Sequence, residues 1–282
     1  MPHHTVTWVQ TNSTNQALSL FGEFQITDGF FGTRNSAGFI FWAAANAQVK
    51  IEGGEVNTAQ VRAGAGAGVA SYTQTGGLIV VRGNETEPGE VAGAYPIFGF
   101  DDATGVFNMS GGEILLRDVA GSSTNGFYIP SSVGNYNVSG GTVTVEVASG
   151  NDFEIGANAP VWNLTIKRLS GTGTSTVRLT NHLTVLNDLT INANTLLDVQ
   201  DDADATDYDL YVGRNFDLVS GGQYNARTNT THFIGTRTTN IYARNNTTPA
   251  PLVFNNVNIQ KDQNWNPATF RAVNLGNTGR ST

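Results

Sequence analysis

The chain contains no cysteine, which excludes disulfide bonds, zinc–thiolate sites and thiol catalysis together. Charged residues are also scarce: they make up 13% of the 282 positions, with 15 basic against 23 acidic residues. The net charge of −8 argues against a nucleic-acid partner and against an anchor on anionic membranes. The polar surface must therefore come mostly from Asn, Thr, Ser and Gln.

Long apolar runs are missing as well. No stretch is long and apolar enough for a membrane-spanning helix, so we expect that the chain is not embedded in a membrane. The opening residues, MPHHTVTWVQTNSTN, lack the apolar region of a signal peptide. We interpret the 282 residues as an internal section of a longer exported chain.

The usual motifs of catalysis and cofactor binding are absent from the sequence. The four histidines show neither His-x-His nor His-x-x-x-His spacing, and no Gly-x-Ser-x-Gly elbow occurs. The glycines Gly64, Gly66 and Gly68 lack the following helix and the Lys-Ser/Thr pair of a phosphate-binding loop. The sequence therefore predicts that the chain is not an enzyme.

A repeated sequence pattern is the strongest indication of the fold. It couples a glycine pair to a run of alternating apolar and polar residues, which is typical of a turn that leads into a strand. The glycine pairs begin at Gly53, Gly76, Gly111 and Gly140, at intervals of 23, 35 and 29 residues. Recurrence with variable spacing favours a β-solenoid over a propeller, whose blades must match to close.

The alternation after each glycine pair predicts which side chains point inward. We expect Thr144 and Glu146 to meet solvent, because they alternate with valines. The expected fold is a single right-handed parallel β-helix over residues 1–282, all-β, with irregular coil lengths. About 12 coils, at about 4.8 Å each, would give a rod about 60 Å long. The residues that we expect to face the interior are Ile114, Leu116, Val143, Val145, Leu189, Ile191, Leu210, Val212 and Phe233.

The second half of the chain has its own pattern, so we divide the solenoid into a glycine-pair half (1–159) and a second half (160–282). The strand-like segments of the second half include VWNLTIKR, HLTVLNDLTINANTLLDV, YDLYVGRNF and PLVFNNVNIQ. This order of strands and turns resembles the β-helical repeat regions of very large adhesin-like surface proteins of Bacteroidota, which the type IX secretion system exports. The resemblance covers residues 160–262 best.

The resemblance implies a structural section of a secreted cell-surface filament or adhesin, with a role in attachment or gliding motility. It implies an extracellular location, a secretion translocon as the partner during export, and glycans or other surface chains as candidate partners. The alternative is a β-helical protein that binds or cleaves polysaccharide through paired carboxylates, or a phage-type spike. The candidate carboxylates are Asp101 with Asp102, and Asp152 with Glu154.

One acidic run is the candidate metal site. Six carboxylates fall within the twelve residues DVQDDADATDYD, and alternate carboxylates on a loop can wrap a hard cation such as calcium. The run lacks the glycine and the closing Glu of an EF-hand loop, so a solvated acidic turn between coils is the competing interpretation. Calcium is the only candidate cofactor, and its candidate ligands are Asp198, Asp201, Asp202, Asp204, Asp207 and Asp209.

Overall fold

A computed structural model of the chain describes residues 6–8, 16–33, 38–63, 69–83, 96–100, 103–118, 123–243, 252–261 and 273–276. Within these ranges the regular structure consists of β-strands without helices. The strands of the first half are β1 (Val6–Trp8), β2 (Gln16–Leu20), β3 (Glu23–Ile26), β4 (Phe30–Thr33), β5 (Gly38–Trp42), β6 (Gln48–Ile51), β7 (Glu55–Thr58), β8 (Val61–Ala63), β9 (Ser71–Gln74), β10 (Leu78–Val81), β11 (Phe98–Gly99), β12 (Val106–Asp118), β13 (Ser123–Ile129), β14 (Tyr136–Val147) and β15 (Asp152–Ala157). Those of the second half are β16 (Asn163–Arg168), β17 (Ser175–Leu179), β18 (Leu183–Val185), β19 (Leu189–Ile191), β20 (Thr195–Asp198), β21 (Leu210–Val212), β22 (Asn215–Leu218), β23 (Gln223–Asn225), β24 (Thr230–Gly235), β25 (Thr239–Ala243), β26 (Asn256–Lys261) and β27 (Val273–Gly276).

The strands stack in parallel on three sides of a coil. Side A carries β1, β4, β7, β10, β12, β14, β16, β19, β22, β25 and β27, and side B carries β2, β5, β8, β11, β13, β15, β17, β20 and β23. Side C, which lies between B and A along the chain, begins with β3, β6 and β9 and ends with β18, β21, β24 and β26. The long strands β12 and β14 turn the corner from side C to side A, since their pairing register shifts at the glycine pairs. The fold is therefore a parallel β-helix.

Successive coils have different lengths but stay in register. On side A the aligned residues Val56, Ile79, Ile114, Val143 and Leu164 are separated by 23, 35, 29 and 21 residues. The irregular coil lengths expected from the glycine intervals are confirmed. In the described ranges side A stacks 11 strands, so at about 4.8 Å per step this part of the rod is about 50 Å long.

The interior is a continuous apolar column. All nine side chains predicted to face inward are at most 1% exposed, so the alternation gave the correct register in both halves. Buried aromatics pack against one another inside the first half: Tyr72 stacks on Phe107 with ring centroids 5.9 Å apart, and Phe98 stacks on Phe127 at 5.6 Å. Burial raises the pKa of Tyr72 well above its usual value, because the phenolate would lose its hydration.

Two outward residues of β14 are buried, contrary to the expectation that they meet solvent. Thr144 is 3% exposed and Glu146 is 7% exposed, although the alternation predicted that both meet solvent. The reason is the short distance between coils, which brings outward side chains at matching positions into contact. Thr144 Oγ1 donates to Glu113 Oε1 at 2.6 Å, one coil away, and Glu146 lies between two cations.

The glycine pairs form one column of corners between sides C and A. The second glycine of each pair has a positive φ, for example +77° at Gly112 and +90° at Gly141. The first glycine lies against the preceding coil: a Cβ on Gly111 would lie 2.4 Å from the Thr75 carbonyl oxygen, and one on Gly140 would lie 2.2 Å from that of Ser110. Both members of a pair must therefore be glycine, for two different reasons.

Candidate functional site

The acidic run connects side B to side C, because it begins at the end of β20 and ends just before β21. A short antiparallel bridge between Gln200 and Asp207 closes the loop. Two of its carboxylates accept hydrogen bonds from nearby backbone: Asp201 Oδ1 from the Ala203 amide and Asp204 Oδ1 from the Thr206 amide, both at 2.8 Å. These carboxylates shape the turn locally.

Two further carboxylates connect the loop to the next coil. Asp207 Oδ2 accepts hydrogen bonds from the amide (2.9 Å) and the hydroxyl of Thr228. Asp209 Oδ1 accepts one from the Thr230 amide at 2.8 Å. Desolvation tends to raise the pKa of Asp207, but hydrogen bonds from Thr228 and Gln200 and the charge of Arg227 outweigh it and lower the pKa.

Asp198 is the buried centre of a charge network on side B. Its side chain is 2% exposed and forms a bidentate pair with Arg227, at 3.0 Å from Nε and 2.7 Å from Nη2. Arg178 Nη1 lies 3.3 Å from the same carboxylate, and Arg178 Nε also approaches Asp152 (3.1 Å) and Asp202 (2.8 Å). Hydrogen bonding to Asp198 raises the pKa of Arg227, so the guanidinium keeps its charge in this contact.

The loop geometry bears on the calcium prediction. In the described part of the chain, no three His, Asp or Glu side chains come together in a way that could hold a metal ion. Asp198 and Asp202 face arginine, whereas Asp201, Asp204, Asp207 and Asp209 accept hydrogen bonds from amides. A calcium ion would have to displace these donors, and the calcium site stays a prediction.

The carboxylates proposed for polysaccharide cleavage are only partly within the described structure. Asp101 and Asp102 lie outside the described residues. Asp152 and Glu154 lie on β15, two positions apart on the outward face, and Asp152 pairs with Arg178. Retaining and inverting glycosidases need two carboxyl groups across a cleft, one of which remains protonated. Asp152 and Glu154 share one strand and do not face each other across a cleft, so their placement does not match this arrangement.

Exposed tryptophans can stack on sugars, and the four tryptophans of this chain have different environments. Trp42 is fully buried, and its indole donates to the Ser71 carbonyl at 3.2 Å. Trp162 is half-buried beside the corner. The side chains of Trp8 and Trp265 lie outside the described residues. Trp42 is thus a core residue, as expected for an aromatic within an apolar strand.

In the second half, Asn or Asp occupies the register position that directly follows the glycine pairs of the first half, since Thr142 aligns with Asn163. The register aligns Asn163, Asp188, Asn215 and Asn240 in one column. Asn163 Nδ2 donates to the Gly141 carbonyl at 3.0 Å, and Asn240 Nδ2 donates to Asn215 Oδ1 at 2.7 Å. We call this column the asparagine ladder. Sequence reasoning missed it, although an Asx residue precedes the apolar run in NLTI, DLTI, NFDL and NIYA.

A second ladder, the ion ladder, crosses three coils on side A. Glu146 lies between Arg117 of the preceding coil, at 2.6 Å, and Lys167 of the following coil, at 2.7 Å. Burial tends to raise the pKa of Glu146, but hydrogen bonds and charge from Lys167 and Arg117 outweigh this effect and lower the pKa. The carboxylate is therefore held ionised between two coils.

Side C carries an outward stack that sequence reasoning also missed. The rings of Tyr211 and His232 lie 4.2 Å apart and nearly parallel, on neighbouring strands at matching positions. Asp209 Oδ2 lies 3.5 Å from His232 Nε2. Burial and the charge of Asp209 raise the pKa of Tyr211. The stack connects two coils, as the ladders do.

Comparisons with known proteins give no relative for this chain. No protein-family model, no curated protein and no solved structure matches it. Among the described residues no helix has the length and apolar character to cross a membrane.

Proposed function

We propose that this chain is a structural section of a large secreted cell-surface filament or adhesin, with a role in attachment or gliding motility. The proposal rests on one observation: outward polar side chains join each coil to the next. The ion ladder, the asparagine ladder and the Asp198 network all join one coil to the next.

These contacts suit a load-bearing rod. Neighbouring coils are held together by backbone hydrogen bonds between stacked strands, by a buried apolar column and by the side-chain ladders. Separating two coils must break all three sets of contacts at once, so the rod resists bending and local opening. A low content of charged residues further limits nonspecific electrostatic binding to other molecules.

The proposed extracellular location rests on the composition of the chain and on the resemblance of its second half to adhesin-like surface proteins. A chain without cysteine can fold in an oxidising environment without mispaired disulfides. We place the section outside the cell, exported through a secretion translocon, with glycans or other surface chains as its partners. The section has no catalytic role in this proposal.

The decisive experiment replaces the section in the cell that makes it. An unrelated β-solenoid with the same number of coils should preserve attachment or gliding, because only length and stiffness are needed. Deletion of the section without replacement should impair both. Loss of function with the substitute solenoid, despite normal surface display, would contradict the proposal.

An enzymatic assay tests the alternative directly. The purified chain is incubated with acidic and neutral polysaccharides, and new reducing ends and unsaturated products are measured. We expect neither product. Turnover that disappears in Asp152→Asn would establish the polysaccharide-cleaving alternative and overturn the structural proposal.

A further inference from the structure

Three coils of the second half place different side chains one above another at the corner between sides C and A. The Trp162 carbonyl accepts a hydrogen bond from the Asn187 amide at 2.8 Å, and the Asn187 carbonyl accepts one from the Arg214 amide at 2.9 Å. From the following coil Arg237 reaches back, and its Nη1 donates to Asn187 Oδ1 at 3.4 Å. We call Trp162, Arg214 and Arg237 the corner strip, which spans two coil steps, or about 10 Å.

The indole of Trp162 supplies an aromatic surface at one end of the corner strip. Trp162 is half-buried, in contrast to the fully buried Trp42. Since Thr142 aligns with Asn163, Gly141 lies opposite Trp162 in the preceding coil, and glycine has no side chain to cover the indole. Among the described residues, no aromatic ring stacks on Trp162 and none accepts a hydrogen bond from its indole. Part of this aromatic surface is therefore open to a ligand.

Two guanidinium groups supply positive charge beside the indole. Arg237 is exposed and has no carboxylate partner within the described ranges, and its bond to Asn187 uses only one of the five donors of a guanidinium. The Arg214 side chain is 42% exposed, and its Nη1 lies 3.5 Å from Asp188 Oδ2. These three side chains carry two positive charges and one negative charge, although the whole chain has a net charge of −8. The corner strip is thus suited to an anionic group.

We propose that the corner strip binds a uronic-acid unit of an acidic polysaccharide. The apolar C–H face of the sugar ring packs on the Trp162 indole, and the sugar carboxylate accepts hydrogen bonds from Arg237 and Arg214. A planar guanidinium matches a planar carboxylate, and a uronate carries its carboxylate on the same ring that the indole contacts. A neutral sugar would leave Arg237 without an anion.

This binding goes beyond the proposed structural role, which needs only length and stiffness. It uses that role only for the extracellular setting, in which the chain meets polysaccharides. A replacement solenoid would preserve attachment or gliding and lose the uronate binding. The two proposals therefore fail separately, because absence of uronate binding leaves the replacement experiment unaffected.

Titration calorimetry with the purified chain and tetragalacturonate tests the proposal. A chelator is present throughout, so that a calcium ion at the acidic loop cannot contribute. We expect binding that weakens as the salt concentration rises, because the contact includes exposed charges. Maltotetraose, a neutral oligosaccharide of the same length, should not bind measurably.

Four variants locate the site. Arg237→Gln and Trp162→Ala should each weaken tetragalacturonate binding about tenfold, since one removes a charged hydrogen bond and the other removes the stacking surface. Trp162→Phe keeps an aromatic ring and should retain most of the affinity. Arg168→Gln is the matched control: it removes the same charge at the far end of β16, where Arg168 Nη1 donates to the Gly173 carbonyl at 2.9 Å, and it should not change the affinity. Thermal melts of each variant establish that the chain still folds.

Four results would overturn the proposal. Tetragalacturonate could fail to bind, or maltotetraose could bind as tightly. Equal losses in Arg168→Gln and Arg237→Gln would show nonspecific attraction between charges. Dextran sulfate tests the source of the anion, since its competition at lower concentrations than polygalacturonate would assign the corner strip to sulfate esters instead of uronates.

Discussion

Glycine substitutions at the corners test the strongest structural claim, that each glycine pair is required for two separate reasons. Four glycines separate the two effects. Gly22 has no positive φ and no atom within 4 Å of an added Cβ. Gly134 has a φ of +98° but open space around an added Cβ. Gly111 has no positive φ, but an added Cβ would collide with a backbone oxygen. Gly112 combines a positive φ with such a collision. Alanine at each position adds the same single methyl group.

The expected free energies of unfolding follow from these environments. Gly22→Ala should be neutral or stabilising by up to about 1 kcal/mol, because alanine restricts the unfolded chain. Gly134→Ala should cost about 1–2 kcal/mol through left-handed strain. Gly111→Ala should cost about 1–3 kcal/mol, since the methyl group would lie 2.4 Å from a backbone oxygen that can move only by parting two coils.

Gly112→Ala should be the most damaging of the four. Its φ is +77°, and the added Cβ would lie 2.4 Å from the Gly76 oxygen and 2.5 Å from Gln74 Nε2. Gln74 is fully buried and donates to the carbonyls of Gly76 and Glu113, so it has little room to move. Strain and collision together should cost about 2–5 kcal/mol.

The assay is equilibrium unfolding in urea, followed by circular dichroism. Because a solenoid can unfold coil by coil, the slope and the midpoint of each transition are compared before free energies are assigned. The reasoning is refuted if Gly112→Ala unfolds at the same midpoint as Gly22→Ala. If Gly111→Ala unfolds at the same midpoint as Gly22→Ala while Gly134→Ala unfolds at a lower one, left-handed backbone strain alone lowers the stability and the Cβ collision has no effect.

Three further predictions concern the core, the acidic loop and the ion ladder. Leu189→Ala should lose about 2–5 kcal/mol in the same unfolding assay, whereas the half-exposed, outward Leu196→Ala should lose less than about 1 kcal/mol; equal losses would contradict the register. The calcium prediction expects a chelator to lower the melting temperature and the double variant Asp202→Asn, Asp204→Asn to abolish that sensitivity; a melting curve indifferent to chelator and added calcium rules it out. The pKa of Glu146 is lower in the folded chain than in the unfolded chain. The ionised Glu146 therefore stabilises the fold at pH values above its unfolded pKa, and this stabilisation is lost as the pH falls through its folded pKa. Melting temperatures from pH 7 to pH 3 should therefore fall less in Glu146→Gln than in the unmodified chain, and parallel curves would show that the ladder carries no pH dependence.

The sequence predicted the interior well because one side of each strand meets a single apolar column. Val143 and Val145 are interior residues by simple alternation, and they are buried as expected. The exterior was harder to predict, because the exposure of an outward residue depends on its neighbours in the coils before and after it. Glu146 is buried by Arg117 and Lys167, which are 29 and 21 residues away along the chain. Variable coil lengths conceal such neighbours until the register is known.

The acidic loop shows the same dependence on register. Six carboxylates in twelve residues suggest a shared ligand when only the local sequence is considered. The structure instead gives Asp198 partners from two other coils: Arg178 lies 20 residues before it, and Arg227 lies 29 residues after it. No local pattern indicates these arginines, since their spacing from Asp198 is set by the lengths of two different coils.

The asparagine ladder was within reach of sequence reasoning, because Asn or Asp directly precedes the apolar run of successive side A segments in the second half. The ladder lies beside the corner between sides C and A, one register position after the glycine pairs, since Thr142 aligns with Asn163. Gly140 accommodates the Ser110 carbonyl of the preceding coil by having no side chain, whereas Asn163 donates its side-chain amide to the Gly141 carbonyl. Once one coil carries asparagine, the next coil can bond to it side chain to side chain, as Asn187 Nδ2 bonds to Asn163 Oδ1 at 2.8 Å. The glycine pairs and the asparagine ladder therefore belong to one continuous stack, since side A pairs β14 directly with β16.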